Sequence, residues 1–273
     1  MKLRLLHMGG ALSAMSLLVF SLLICGCAES AMTEKSASFR VMSYNIHHGE
    51  GLDGKVDLER IASLIQDERA DIVGLQEVDK GVERTSKRDL PAELAKLTGM
   101  TCIFSNNFHH QGGEYGNAVL TRFPVVNWTN VHYKMLREGE QRGILQLKLK
   151  IHGKEMMFMT THIDHRPDET ERLSNVVEMK QMLSESKGIP LVLCGDFNCV
   201  PESQTYQRLA EVLLDAWTVA GEGDGFTIPA RKPNRRIDFI WVSREHGPKP
   251  VWARVPATEA SDHRPVVAEF RLD

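Results

Sequence analysis

From residue 39 onward the chain is built of short β-like runs, alternating or continuously apolar and broken by Gly, Pro, Asn and Asp. They fall at 39–46, 71–76, 101–104, 117–122, 142–151, 156–162, 191–194, 237–242 and 265–272. Helical spacing appears between them. Asp57 is placed to cap a helix whose Leu58, Ile61, Leu64 and Ile65 share one face. Residues 91–97 predict a short helix starting at Pro91. A longer one follows Pro167, with Leu173, Val176, Val177, Met179, Met182 and Leu183 apolar, and 204–214 carries a weaker helical pattern. Strands in this number with few helices predict two packed sheets with helices outside. No internal repeat, low-complexity tract or linker divides residues 39–273, which are expected to form a single domain.

The first thirty residues follow a different pattern. Lys2 and Arg4 precede an apolar stretch, densest over 17–24, that runs into small residues. This is the layout of a secretory signal. Gly9, Gly10, Ser13, Ser16 and Ser21 interrupt the stretch and leave it short for a membrane span of about 20 residues. Ile24-Cys25-Gly26-Cys27 resembles a bacterial lipobox, in which the final cysteine is lipidated and becomes the new N-terminus. The expected organisation is a signal peptide over 1–26, a small, polar tether over 27–38, and the folded domain over 39–273. The expected location is the bacterial cell envelope, exported and lipid-anchored to the membrane through Cys27. Ordinary cleavage, giving a secreted or periplasmic soluble protein, is the alternative.

Composition narrows the class. With 42% apolar and 25% charged residues, the chain is neither disordered, collagen-like nor a disulfide-dense miniprotein. The formal charge of −3 falls to −5 once Lys2 and Arg4 are removed with the leader, so this is not a strongly basic nucleic-acid binder. The five cysteines are too few and too irregular for a disulfide framework, and Cys194 and Cys199 read as packing residues.

The chemistry gathers where apolar runs stop. Asn45 ends the first run, in Tyr44-Asn45-Ile46-His47-His48-Gly49, and Glu77 follows the second, in Gln76-Glu77-Val78-Asp79. His162 ends another. Asp196 and Asn198 stand in Gly195-Asp196-Phe197-Asn198, Asp238 in Arg236-Ile237-Asp238-Phe239, and Asp262 and His263 in Ser261-Asp262-His263-Arg264. A single carboxylate after a strand is usually a turn or cap residue; the ordered set is far more specific.

With Gly-Asp-Phe-Asn, Ser-Asp-His and Gln-Glu-Val in this order, residues 39–272 resemble the endonuclease/exonuclease/phosphatase superfamily, which shares the fold of pancreatic deoxyribonuclease. The resemblance implies an α/β fold: a four-layer α/β/β/α sandwich of two mixed β-sheets face to face, flanked by helices, with the site at one edge. It implies a hydrolase acting on ester bonds, a phosphodiesterase or phosphatase. Glu77 is then the principal metal ligand, with Asn45 and Asp262 in or near its shell. Asp196 and Asn198 position or deprotonate the attacking water, Asp238 orients His263, and His162 donates to a phosphate oxygen. Carboxylate and amide oxygens suit Mg²⁺ or Mn²⁺, whereas zinc favours Cys and His clusters.

Further features are particular to this chain. His47 and His48 follow Asn45. Asn117 and Arg142, beside glycine turns, and Arg84 are candidates for binding the substrate phosphate, and Asp89 is a candidate for the mouth. His109, His110 and His165 read as solvated loop residues. Residues 49–55 match the G-x-x-x-x-G-K part of a P-loop, but Val56 offers no hydroxyl and Glu50 and Asp53 repel phosphate. The reading is thus a metal-dependent phosphoesterase for small-molecule or lipid phosphoesters. A nuclease is the alternative, because no basic track follows a nucleic-acid backbone. A non-catalytic binding protein on the same fold is a remote third. No obligate protein partner is implied.

Overall fold

The computed structural model describes residues 37–186 and 188–272. The expected signal peptide, the lipidation site at Cys27 and nearly all of the tether lie outside the described residues.

Two six-stranded mixed sheets pack face to face. The first contains β1 (Ala37–Asn45), β2 (Ile72–Lys80), β3 (Thr101–His110), β4 (Gly113–Thr121), β11 (Lys249–Arg254) and β12 (Val266–Leu272), in the order β11-β12-β1-β2-β4-β3. The second contains β5 (Val125–His132), β6 (Gly143–Ile151), β7 (Lys154–His162), β8 (Leu191–Asp196), β9 (Leu213–Asp215) and β10 (Asp238–Ser243), in the order β5-β6-β7-β8-β10-β9. Each sheet holds one parallel pair, β1 with β2 and β7 with β8. A parallel pair needs a long crossover, and helices supply it: α1 (Leu58–Asp67) joins the first pair and α3 (Thr170–Glu185) the second. With α2 (Leu90–Thr98) against the first sheet and α4 (Gln204–Ala210) against the second, helices cover both outer faces. The short α5 (Ala216–Ala220) meets the inter-sheet core through Ala216. The expected four-layer sandwich is the fold observed.

Strand alternation explains the layers. On β1, Phe39 and Val41 face the opposite sheet, while Met42 and Tyr44 meet Leu58, Ile61 and Ile65 of α1. On β10, Ile240 and Val242 face inward, while Phe239 and Trp241 face α4. The sheets close tightly at Gly74, where a Cβ would come within 2.4 Å of Cys194 Sγ and 2.7 Å of Thr160 Oγ1. Only glycine fits there. Cys194 is fully buried and unpaired, and burial pushes its thiol up to about 12, which suits a packing residue.

The helix caps follow the sequence. Asp57 accepts from the amides of Glu59 and Arg60, and Asp89 accepts from that of Ala92. Asp89 is therefore a helix cap and not a residue of the mouth. Three expectations are corrected. Val177 on α3 is 69% exposed and faces solvent. The 204–214 helix stops at Ala210, and the chain then enters β9. Three strands were not expected from the apolar pattern: β5, β9 and β11, each at the edge of a sheet.

Candidate active site

On the facing sides of the two sheets, the inward stripe changes from apolar to polar at one end. On β7, Phe158 is followed two residues on by Thr160 and then His162. On β8, Val192 and Cys194 lead to Asp196, and on β1, Val41 and Ser43 lead to Asn45. Register then joins these ends: His162 lies beside Asp196, and Asp196 beside Asp238 on the antiparallel β10.

Glu77 arrives differently. Ile72, Gly74 and Gln76 share the inward face, so in a regular strand Glu77 would point toward the helices. A bulge between Leu75 and Val78 breaks the pairing of β2 with β4, and Glu77 takes φ 58°. The extra residue turns its carboxylate into the site. The amide Nδ2 of Asn45 donates to Glu77 Oε1 at 2.9 Å and to Asp196 Oδ2 at 3.0 Å, tying the two sheets together across the layer.

Asp196 is the hub. Its Oδ1 accepts from the backbone amide of Asn198 at 2.9 Å. Its Oδ2 lies 3.6 Å from His162 Nε2 and 3.7 Å from His263 Nε2. Burial, followed by the nearby charge of Asp238, pushes the Asp196 carboxyl up to about 7. His263 Nδ1 is 2.9 Å from Asp238 Oδ2, which also accepts from Thr227 Oγ1 at 2.6 Å. Burial opposes a charged His263 ring, but the charge and hydrogen bond of Asp238 prevail and raise it to about 10. Ser261 Oγ accepts from the His263 amide and donates to the Asn45 carbonyl, which pins the Ser-Asp-His loop to the end of β1.

Arg142 is 6% exposed and stands against two imidazoles. Two nitrogens of its guanidinium lie 3.0 Å from His162 Nδ1 and 3.0 Å from His165 Nδ1. A guanidinium only donates, so both Nδ1 atoms accept. The amide Nδ2 of Asn198, which donates to the Ile163 carbonyl, lies 3.1 Å from His162 Nε2, so donors face both nitrogens of the His162 ring. Burial, followed by the charge of Arg142, holds His162 well below its ordinary value, so the ring is neutral. Glu140 pairs with Arg142 at 2.6 Å. Arg84 forms a two-point pair with Asp79, both contacts at 2.8 Å, and lies 5.5 Å from the Tyr115 ring centre.

These groups surround a cavity of about 340 Å³. Glu77, Arg84, Arg142, His162, Asp196, Asn198, Asp262 and His263 line it, while Asn45 and Asp238 support the lining from beneath. Asn117 stands apart. It is 1% exposed, and its Nδ2 donates to the carbonyl of Gly143 at 3.1 Å, so it braces the turn carrying Arg142. Sequence reasoning missed Phe108 and Tyr115 in the wall, Thr227 behind Asp238 and the contact of His165 with Arg142. Apolar wall residues carry no distinguishing motif; the Thr227–Asp238 contact depends on a loop whose path the apolar pattern does not encode.

The donor set suits a hard divalent cation. Glu77 and Asp262 form no ion pair with Lys or Arg among the described residues, and Asp238 Oδ1 is buried without a hydrogen-bond partner. One ligand atom each from Asp196, Asp238 and His263 lie within 4.8 Å of one another. Four carboxylates and an amide, offset by one charged imidazole and an already paired Arg142, leave the site short of positive charge. Oxygen donors of this kind fit Mg²⁺ or Mn²⁺.

Comparison with known proteins agrees with this geometry. Residues 42–263 match the Endonuclease/Exonuclease/phosphatase family. An uncharacterised protein of Escherichia coli K12, YbhP, is 27% identical over 248 residues, covering 86% of this chain and 97% of that protein. A 5'-tyrosyl-DNA phosphodiesterase of Caenorhabditis elegans is 26% identical over 197 residues, covering 68% of this chain and 49% of that enzyme. The structure of a mannosyl-6-phosphatase of Bacteroides thetaiotaomicron superposes with a TM-score of 0.72 at 22% identity, covering 85% of this chain and 99% of that one.

Proposed function

Because this chain belongs to the endonuclease/exonuclease/phosphatase family, whose members are hydrolases acting on phosphoester bonds, we propose that it is a Mg²⁺- or Mn²⁺-dependent phosphoesterase for small-molecule or lipid phosphoesters. The observation that carries the reading is Asp196. This carboxylate opens onto the cavity between two histidines of opposite protonation and is tuned toward neutrality.

Each residue has a task in this reading. Asp196 takes the proton of the attacking water, a role suited to a group tuned near neutral pH. Asn198 holds that water in line. His162 donates to a phosphate oxygen, and Arg142 holds its ring in place through Nδ1. His263, charged and held by Asp238, faces the same oxygens with a full positive charge. Glu77 and Asp262, with Asn45 beside them, hold the cation, which neutralises charge on the phosphoryl group when bound.

Charge and size favour a small substrate. Both arginines of the cavity are already paired with acids, Arg84 with Asp79 and Arg142 with Glu140. The site therefore suits one or two phosphates and gives a polyanionic backbone little net attraction. The similarity to a sugar phosphatase supports the same choice. On a panel of phosphomonoesters, phosphodiesters, phospholipid head groups and duplex DNA with Mg²⁺ or Mn²⁺, kcat/KM for the best small substrate is expected to exceed that for DNA at least tenfold. That corresponds to about 1.4 kcal/mol of transition-state preference. Faster cleavage of DNA or RNA than of every small substrate replaces this reading with the nuclease one.

The proposal includes export and lipid tethering at Cys27, supported by the lipobox-like Ile24-Cys25-Gly26-Cys27. A surface tether would bring the site to lipids and exported metabolites. A Cys27→Ser protein is expected to lose acyl-chain labelling and leave the membrane fraction; unchanged labelling places any lipid elsewhere.

A further inference from the structure

The turn after β1 carries a second group of metal-binding side chains that the phosphoester chemistry leaves unused. His47–Gly49 form a single tight turn in which His47 and His48 both have φ 45° and Gly49 has φ 84°. Left-handed backbone is uncommon for histidine and costly for two in succession. Here it folds the chain back, so that the carboxylate of Glu50 returns to the ring of His48, with Oε2 3.5 Å from Nε2. The two imidazoles lie against each other, ring centres 4.4 Å apart at 60°. One nitrogen from each ring and one carboxylate oxygen of Glu50 fall within 4.8 Å of one another.

Packing alone does not account for this group. His48 is 7% exposed, and its Nδ1 is buried without a hydrogen-bond partner. His47 lies 3.3 Å through Nδ1 from the Glu50 carbonyl. A proton on that nitrogen, shared with the carbonyl, leaves Nε2 free, which is how metal-bound histidines are commonly oriented. The Glu50 carboxylate is 38% exposed, so the group is open to solvent on one side.

We propose that His47, His48 and Glu50 form a second cation site, distinct from the Glu77 centre, that takes a borderline divalent metal such as Zn²⁺. Two imidazoles and one carboxylate make a three-ligand set that suits Zn²⁺ or Co²⁺ and leaves a position for water. The oxygen-rich Glu77 centre has the opposite preference. Because His47 also lines the catalytic cavity, a cation here would place a second positive charge on the cavity rim. The proposal does not depend on which phosphoester is the substrate.

The test separates the two centres. Full-length protein is stripped with EDTA, returned to excess Mg²⁺ and dialysed against Zn²⁺ as the Glu77→Gln variant and as the Glu77→Gln/Glu50→Gln double variant. Glu77→Gln weakens the catalytic centre, so a Zn²⁺ that this variant keeps and the double variant loses reports the histidine turn. That protein is expected to keep one Zn²⁺ per chain, and the double variant to bind it about tenfold more weakly or worse. With Co²⁺ in place of Zn²⁺, Glu77→Gln should show the visible bands of nitrogen-ligated cobalt. Adding either Glu50→Gln or His47→Gln should remove them while circular dichroism stays unchanged. Failure of Glu77→Gln to retain Zn²⁺, or equal retention with and without Glu50, overturns the site.

Discussion

Glu77→Gln is expected to lower kcat/KM by about 10²-fold or more, close to 3 kcal/mol of lost transition-state stabilisation. The substitution keeps the shape of the side chain, and Asn45 Nδ2, now 2.9 Å from Oε1, can still donate to the amide oxygen. What disappears is the negative charge that holds the cation. The backbone at φ 58° is no harder for Gln than for Glu, so the fold should survive and thermal unfolding should change little. Steady-state kinetics over a Mg²⁺ series checks the claim. The deficit should persist at saturating metal if the charge also orients the cation, and shrink toward wild type if only affinity is lost. Wild-type turnover in the variant, or full wild-type activity in excess EDTA, rules out the metal-dependent reading.

Asp238→Ala, His263→Ala and the double variant are expected to be similarly impaired, each by about 10²-fold or more. Asp238 acts through the ring it holds at 2.9 Å, so once the ring is gone little remains for the carboxylate to do. Strictly additive losses would show two independent roles. The pH profile gives a second readout. As pH rises through about 10, His263 loses its proton and the positive charge opposite the phosphate disappears, so activity falls on that side. Asp238→Asn removes the charge that raises the ring, and the alkaline limb should move to lower pH. On the acid side, Asp196 must be ionised to accept a proton, and activity falls as pH drops through the value of its carboxyl. That limb should lie at or below 7, since a bound divalent cation favours the charged form. Holding both limbs fixed in Asp238→Asn counts against the pairing.

The inner architecture was largely legible because buried strands must carry an apolar stripe. The runs at 39–46, 156–162 and 265–272 correspond closely to β1, β7 and β12. The missed strands obey a different constraint. β5 reads Val-Val-Asn-Trp-Thr-Asn-Val-His and is largely exposed along its length, with Trp128 50% exposed, so no alternation marks it. β11 contains Pro250 at a bulge, and β9 has three residues. An edge strand is recruited by a neighbour's free hydrogen-bonding groups, a cause that its own side chains barely record. The site divides in the same way. Asp196, Asp238 and His263 were recognisable from ordered motifs; register joins Asp196 to Asp238, and the loop before β12 brings in His263. The role of Arg142 beside His162 was not recognisable, because it rests on a contact between a turn and a strand end. Asn117, expected at the phosphate, lies behind the turn it braces.

The bulge in β2 has a consequence for how this sequence tolerates change. Glu77 is aimed inward by one surplus residue in a strand that resumes pairing at Val78 and continues to Lys80. Point replacement of Glu77 alters chemistry and leaves the backbone path intact. Deleting Glu77 would instead restore even pairing and remove the carboxylate, while deleting Gln76 would set Glu77 in the regular inward place of Gln76, without the left-handed step that aims it at Asn45. The same short segment is thus permissive to substitution and intolerant of length change. Among natural or laboratory variants, a missing codon there should change the pairing of β2 with β4 as well as abolish turnover, whereas a changed codon at Glu77 should leave that pairing intact and abolish turnover alone.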